Sequence, residues 1–190
     1  MYSFDPRKVG TLECRAWETY YQRRWGPFLA ASVGLVRAAF GMNRTRTLVG
    51  AWLVLRANQK WAPFPDNDPD AARALMRRFY QLVRKSEGSV LDPTRAAELE
   101  VEWWRVHREA QHDEASGTSP ELVAALRDLY AYSYGVDPAT VEQAAALRAE
   151  AMDVSDRWVE AGSDGNDPLL SHERALLVRS YASLLAAVHR

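Results

Sequence analysis

Asp68 to Val83 reads DPDAARALMRRFYQLV, and the fold class turns on how this stretch is parsed. Asp68 places a short acceptor side chain just before Pro69. The carboxylate can take free N–H groups of a first helical turn, and proline at the first helical position gives up only a donor that had no partner. Ala72, Leu75, Met76, Phe79, Leu82 and Val83 then recur at intervals of three and four, which is one apolar stripe along a helix.

The same acceptor-proline pair occurs at Asp5-Pro6, Asp92-Pro93, Ser119-Pro120, Asp137-Pro138 and Asp167-Pro168. Helical periods follow: Leu99, Trp103 and Val106 after Pro93; Leu122, Leu126 and Leu129 after Pro120; Val141, Ala145, Met152 and Val159 after Pro138; Leu170, Leu177, Tyr181 and Leu184 after Pro168. Three further helices are expected at about 10–25, 28–40 and 45–60, the first two separated at Trp25-Gly26-Pro27. No segment alternates as a strand would. The pattern predicts an all-α fold, a single compact domain over residues 1–190 with roughly eight helices. Leu48 to Leu55 is apolar all round, so the helix at about 45–60 is expected at the centre, with the others packed around it.

A chain of 190 residues is long enough to bury one substantial core. Its one cysteine, Cys14, excludes an intrachain disulfide and fits a reducing compartment. The first ten residues, MYSFDPRKVG, lack the apolar run of a signal peptide, and Arg37, Arg44 and Arg46 interrupt the most apolar region. A soluble cytoplasmic protein with no membrane partner is expected. Residues 1–90 hold 15 Lys+Arg against 7 Asp+Glu, and residues 91–190 hold 9 against 18, so a net charge of −1 conceals a basic half and an acidic half. Such asymmetry serves internal attraction, head-to-tail association or an anionic partner.

Residues 102–114, EWWRVHREAQHDE, bear on catalysis. Glu98, Glu102, Glu109 and His112 share one flank of a helix, and Glu109-x-x-His112 has the spacing that helical di-iron and di-manganese carboxylate sites use. A full site would need His172 and Glu173 as further ligands to iron or manganese. Arg105, three residues from Glu102 and four from Glu109, offers the alternative of a salt-bridged solvated face. The same helix carries a second apolar edge, Ala97, Val101 and Trp104, which belongs between two layers of the fold or against a second copy in a homodimer.

On the helix after Pro69, Arg73, Arg77, Tyr80 and Arg84 form a ridge suited to an anionic ligand or partner. Arg37 to Trp52 resembles a helix-turn-helix, with Gly41 at the turn and Arg44 and Arg46 near the start of the second helix, which would imply nucleic-acid binding. Its second helix is too apolar for a groove. There is no Gly-rich phosphate loop, no zinc spacing and no Gly-x-Ser-x-Gly, so the familiar catalytic routes have no support.

Three functional readings follow. The first is an interaction or regulatory protein that binds a protein partner or itself through helix surfaces, with no cofactor. The second is a metal-dependent bundle enzyme built on the carboxylate-histidine set. The third is a binder of an apolar small molecule in a Trp/Tyr-lined pocket between helices.

Overall fold

The computed structural model describes residues 3–88, 91–112 and 118–189. Among them are eight helices and no strand: α1 (Pro6–Tyr21), α2 (Trp25–Phe40), α3 (Arg44–Trp61), α4 (Pro69–Glu87), α5 (Pro93–His112), α6 (Pro120–Tyr134), α7 (Pro138–Glu160) and α8 (Pro168–Val188). The all-α expectation stands.

All six acceptor-proline pairs start helices. Asp5 accepts from the Arg7 and Lys8 N–H groups, Asp68 from Ala71, Ser119 from Leu122, Asp137 from Ala139 and Asp167 from Leu169. Asp92 accepts from Thr94. Such caps each contribute about 1 kcal/mol and fix where a helix begins. The break before α2 falls at Arg23–Arg24, not at Trp25-Gly26-Pro27, and Pro27 lies in the first turn of α2, where its missing N–H costs no helical bond.

Helices adjacent in sequence pack side by side, and α8 returns to pack on α1, so the eight helices close into a ring. The joint between α2 and α3 is the most sparsely packed in that ring. The joint between α1 and α8 is among the tightest: a Cβ added at Gly10 would lie 2.7 Å from the Val178 nitrogen and 2.9 Å from the Leu177 carbonyl carbon. Only glycine permits that approach.

The ring corrects one expectation. The helix at 45–60 is not the central helix; α3 is a member of the ring wall, with Leu53 and Ala57 buried and Leu48, Val49 and Trp52 exposed. It is apolar all round because one face meets the core and the other meets an open surface. What occupies the centre is a cavity. No single helix among the described residues is long and apolar enough to cross a membrane.

Candidate functional site

All eight helices contribute side chains to a cavity of about 540 Å³. Most of its wall is apolar or aromatic: Trp17, Tyr20 and Tyr21 from α1, Val33, Val36 and Phe40 from α2, Phe79 from α4, Trp103 and Trp104 from α5, and Met152 from α7. Against this wall stands a group of charged residues from the same interior, Glu13, Glu100, Arg148 and Glu173, with the hydroxyls of Tyr80, Tyr130 and Tyr181.

Arg148 anchors the group. Its Nη2 donates to Glu13 Oε1 at 2.8 Å, its Nη1 donates to the Tyr130 hydroxyl at 3.3 Å, and its guanidinium carbon lies 5.1 Å from the Trp103 ring centroid. The Tyr181 hydroxyl donates a short bond to Glu13 Oε2. Across the site, Glu100 accepts from the Tyr80 hydroxyl at 2.6 Å and from Trp103 Nε1 at 3.1 Å. These partners come from α1, α4, α5, α6, α7 and α8, so the polar group ties six helices together. Two polar atoms remain unmatched: Arg148 Nε, a donor, and Glu173 Oε2, a carboxyl oxygen.

Burial and charge set the protonation of the group. Desolvation and the neighbouring Glu13 carboxylate push the Glu173 carboxyl up to about 8, so it is mostly protonated at neutral pH. Burial opposes the charge on Arg148, yet Glu13 and the nearby tyrosine oxygens hold its proton well above the usual range. Tyr80 and Tyr181 are raised well above the ordinary phenol value by burial first, then by Glu100 and Glu13 respectively, so both stay donors. Cys14 is buried and pushed up to about 12 by desolvation and Glu173, which leaves it an unreactive thiol. At another part of the wall, His107 Nε2 lies 3.0 Å from Asp156 Oδ2, and Gln111 donates to Asp156 Oδ1 at 2.8 Å.

Lining residues that are also exposed mark the mouth. Leu29, Leu48 and Trp52 are 46%, 60% and 58% exposed, and Gln59, Ala62 and Gln111 extend the same edge along α3 toward α5. The opening therefore lies beside the loosest joint of the ring.

The residues singled out from sequence fall elsewhere, with three exceptions. Glu102 and Glu109 are exposed and both bind Arg105, at 2.6 Å from Glu102 and 2.5 Å from Glu109; Arg105 holds the Glu102 carboxyl below the usual carboxylate value. His172 is exposed and Glu173 is buried in the cavity wall, so the proposed ligands do not converge. The His112 side chain lies outside those described. No group of three His, Cys, Asp or Glu among the described residues is placed to hold a metal ion. The apolar edge Ala97, Val101 and Trp104 is interior, not a free contact face: all three are buried, with Trp104 against Trp61 and Trp103. On α4, Arg73, Arg77 and Arg84 are exposed and Arg73 pairs with Asp70, but Tyr80 leaves their ridge and points inward to Glu100. Glu173, Tyr80 and Trp104 are thus the three that reach the cavity.

Glu13, Glu100 and Arg148 were missed, although the sequence carries a signal for each. Every one replaces an apolar residue in its helix's own stripe: Glu13 between Val9 and Ala16, Glu100 between Ala96 and Trp103, Arg148 between Ala145 and Met152. Charges at core positions in three separate helices indicate one shared polar interior. Comparison of the chain with protein-family models, with curated protein sequences and with solved structures finds no match.

Proposed function

We propose that the protein binds an amphiphilic small molecule, its apolar body held among the aromatic and aliphatic walls and its polar head against Arg148 and Glu173. The observation that carries this reading is the combination of a 540 Å³ apolar cavity with a buried polar group that retains an unmatched donor and an unmatched carboxyl oxygen. That volume is in the range of small-molecule sites, which typically join apolar walls to a few placed polar groups. Stability alone does not account for the arrangement. Replacing a buried ion pair with well-packed apolar residues is often neutral or stabilising, so two buried carboxyls, Glu13 and Glu173, and a half-buried one, Glu100, in the same cavity wall as Arg148 point to a ligand.

The charge balance narrows the head group. Arg148 is already matched by Glu13, and Glu100 adds a further carboxyl. A carboxylate head would meet this surplus of acid, whereas a hydroxyl or an amine adds no negative charge and can exchange a hydrogen bond with the protonated Glu173 carboxyl in either direction. A hydroxyl oxygen also accepts from Arg148 Nε. Of the three readings open from sequence, this is the pocket reading; the helix-surface reading loses the Trp104 edge on which self-association rested, because that edge is inside the molecule.

Titration of the intrinsic tryptophan fluorescence with dodecanol, dodecylamine and dodecanoate tests the reading, because Trp17 and Trp103 line the cavity. Saturable one-to-one binding of the alcohol and the amine, with dodecanoate much weaker, is expected. Binding of none of the three, or dodecanoate as the tightest, contradicts it.

A further inference from the structure

Between Glu18 and Asp66 the chain has no acidic residue and seven basic ones, Arg23, Arg24, Arg37, Arg44, Arg46, Arg56 and Lys60. This is also the segment that exposes large apolar side chains. On α3, Arg44, Leu48, Trp52, Arg56 and Lys60 stand four residues apart, forming a single outward ridge with an apolar middle and basic ends, and all five are exposed. On α2, Trp25, Leu29 and Arg37 repeat the pattern through Val33 at the same spacing. Leu29, Leu48 and Trp52 are in addition the rim of the cavity mouth.

We infer that the α2–α3 face docks on an anionic lipid bilayer and sets the cavity mouth against the acyl layer. Helices that rest in a bilayer interface pair an apolar face carrying tryptophan and leucine with lysine and arginine beside it. Anionic headgroups complement a surface with no carboxylate of its own. The two helices are together apolar enough to meet the composition of a span, but they are bent by 117° at their junction and so do not form one straight span. Self-association through the same ridge would press basic ends against basic ends. This departs from the expectation of no membrane partner, which rested on spanning segments alone. The surface stands on exposure and charge; its purpose, passage of an apolar ligand without crossing water, rests on the cavity reading.

Co-sedimentation with vesicles tests it. The full chain is expected to pellet with phosphatidylcholine vesicles containing phosphatidylglycerol and to stay in solution with phosphatidylcholine alone. Each basic side chain near an anionic surface contributes roughly fivefold in affinity, so R56Q/K60Q weakens docking roughly 25-fold. Trp52→Ser weakens it roughly tenfold while leaving the melting temperature unchanged, because the side chain is already exposed. Ala39→Trp, which fills the cavity from within, is expected to pellet like the unaltered chain while losing dodecanol binding, and this separates the two readings. No pelleting, equal pelleting on phosphatidylcholine, or binding to double-stranded DNA that R56Q/K60Q weakens and Trp52→Ser does not would overturn the inference.

Discussion

Helices α7, α8 and α1 meet through buried surface and a backbone approach so close that Gly10 cannot carry a Cβ, and they supply Arg148, Glu173, Glu13 and Tyr181 to the interior. Helices α2 and α3 meet sparsely, carry no acidic residue and leave Trp25, Leu48 and Trp52 in the open. One side closes tightly around desolvated charge, and the other keeps an apolar edge unsealed. A ring with both properties is suited to hold a polar head at its rigid wall and to admit an apolar body at its loose one. Neither property alone implies a ligand.

The contrast can be broken most severely at Arg148. Arg148→Met leaves Glu13 buried without its guanidinium partner, and losing one member of such a pair costs about 3–5 kcal/mol. Thermal unfolding should show a large fall in melting temperature, and E13L/R148M should recover part of it, because the Glu13 charge is then removed together with its partner. A double variant as unstable as the single one would mean that the ion pair itself holds the rigid side together.

Glycine substitutions compare the two sides directly. Gly10→Ala drives a methyl group into the α8 backbone and should cost about 1–3 kcal/mol in a denaturant titration. At Gly50 on α3 an added Cβ meets only the Phe79 ring at 3.3 Å and the Val36 side chain at 3.4 Å, which can give way, and alanine favours a helix by about 1 kcal/mol. Gly50→Ala should be near neutral; equal penalties at the two positions would erase the difference between the joints.

A smaller effect comes from Glu173. Its carboxyl is raised from 4.5 to about 8 in the folded chain, so the native state holds a proton that the unfolded state releases. The associated stability is fully present below the unfolded value and is lost as pH rises toward about 8. Melting temperature should therefore decline across that window in the unaltered chain, and Glu173→Gln should flatten the decline. The smallest effect belongs to the exposed cluster on α5. Arg105→Ala removes two solvated ion pairs and should change stability by less than about 1 kcal/mol.

The helices were legible because their signals are local. Each acceptor-proline pair acts on the N–H groups two or three residues away, and each apolar stripe belongs to one segment, so neither depends on the rest of the fold. Ring closure was not legible, since the apposition of Gly10 with Leu177 and Val178 joins residues far apart in sequence. The all-round apolar character of Leu48 to Leu55 fits a central helix and a wall helix with an open outer face equally well. Only the position of α3 in the ring separates them. At the site, the sequence points first to Glu102 and Glu109, where carboxylates cluster, yet clusters of that kind are usually solvated. The isolated charges inside apolar stripes, Glu13, Glu100 and Arg148, were the stronger sign, because a lone charge at a core position must find its partner on another helix.

The cavity is the proposed place where the protein holds its ligand. Calorimetric titration of dodecanol into the unaltered chain, Ala39→Trp and Ser32→Phe, each shown by circular dichroism to keep its helical content, tests it most directly. One site per chain is expected in the unaltered protein, with loss of binding in both filled variants, since Ala39 and Ser32 line the cavity. Undiminished binding in two folded variants with a filled cavity would contradict it.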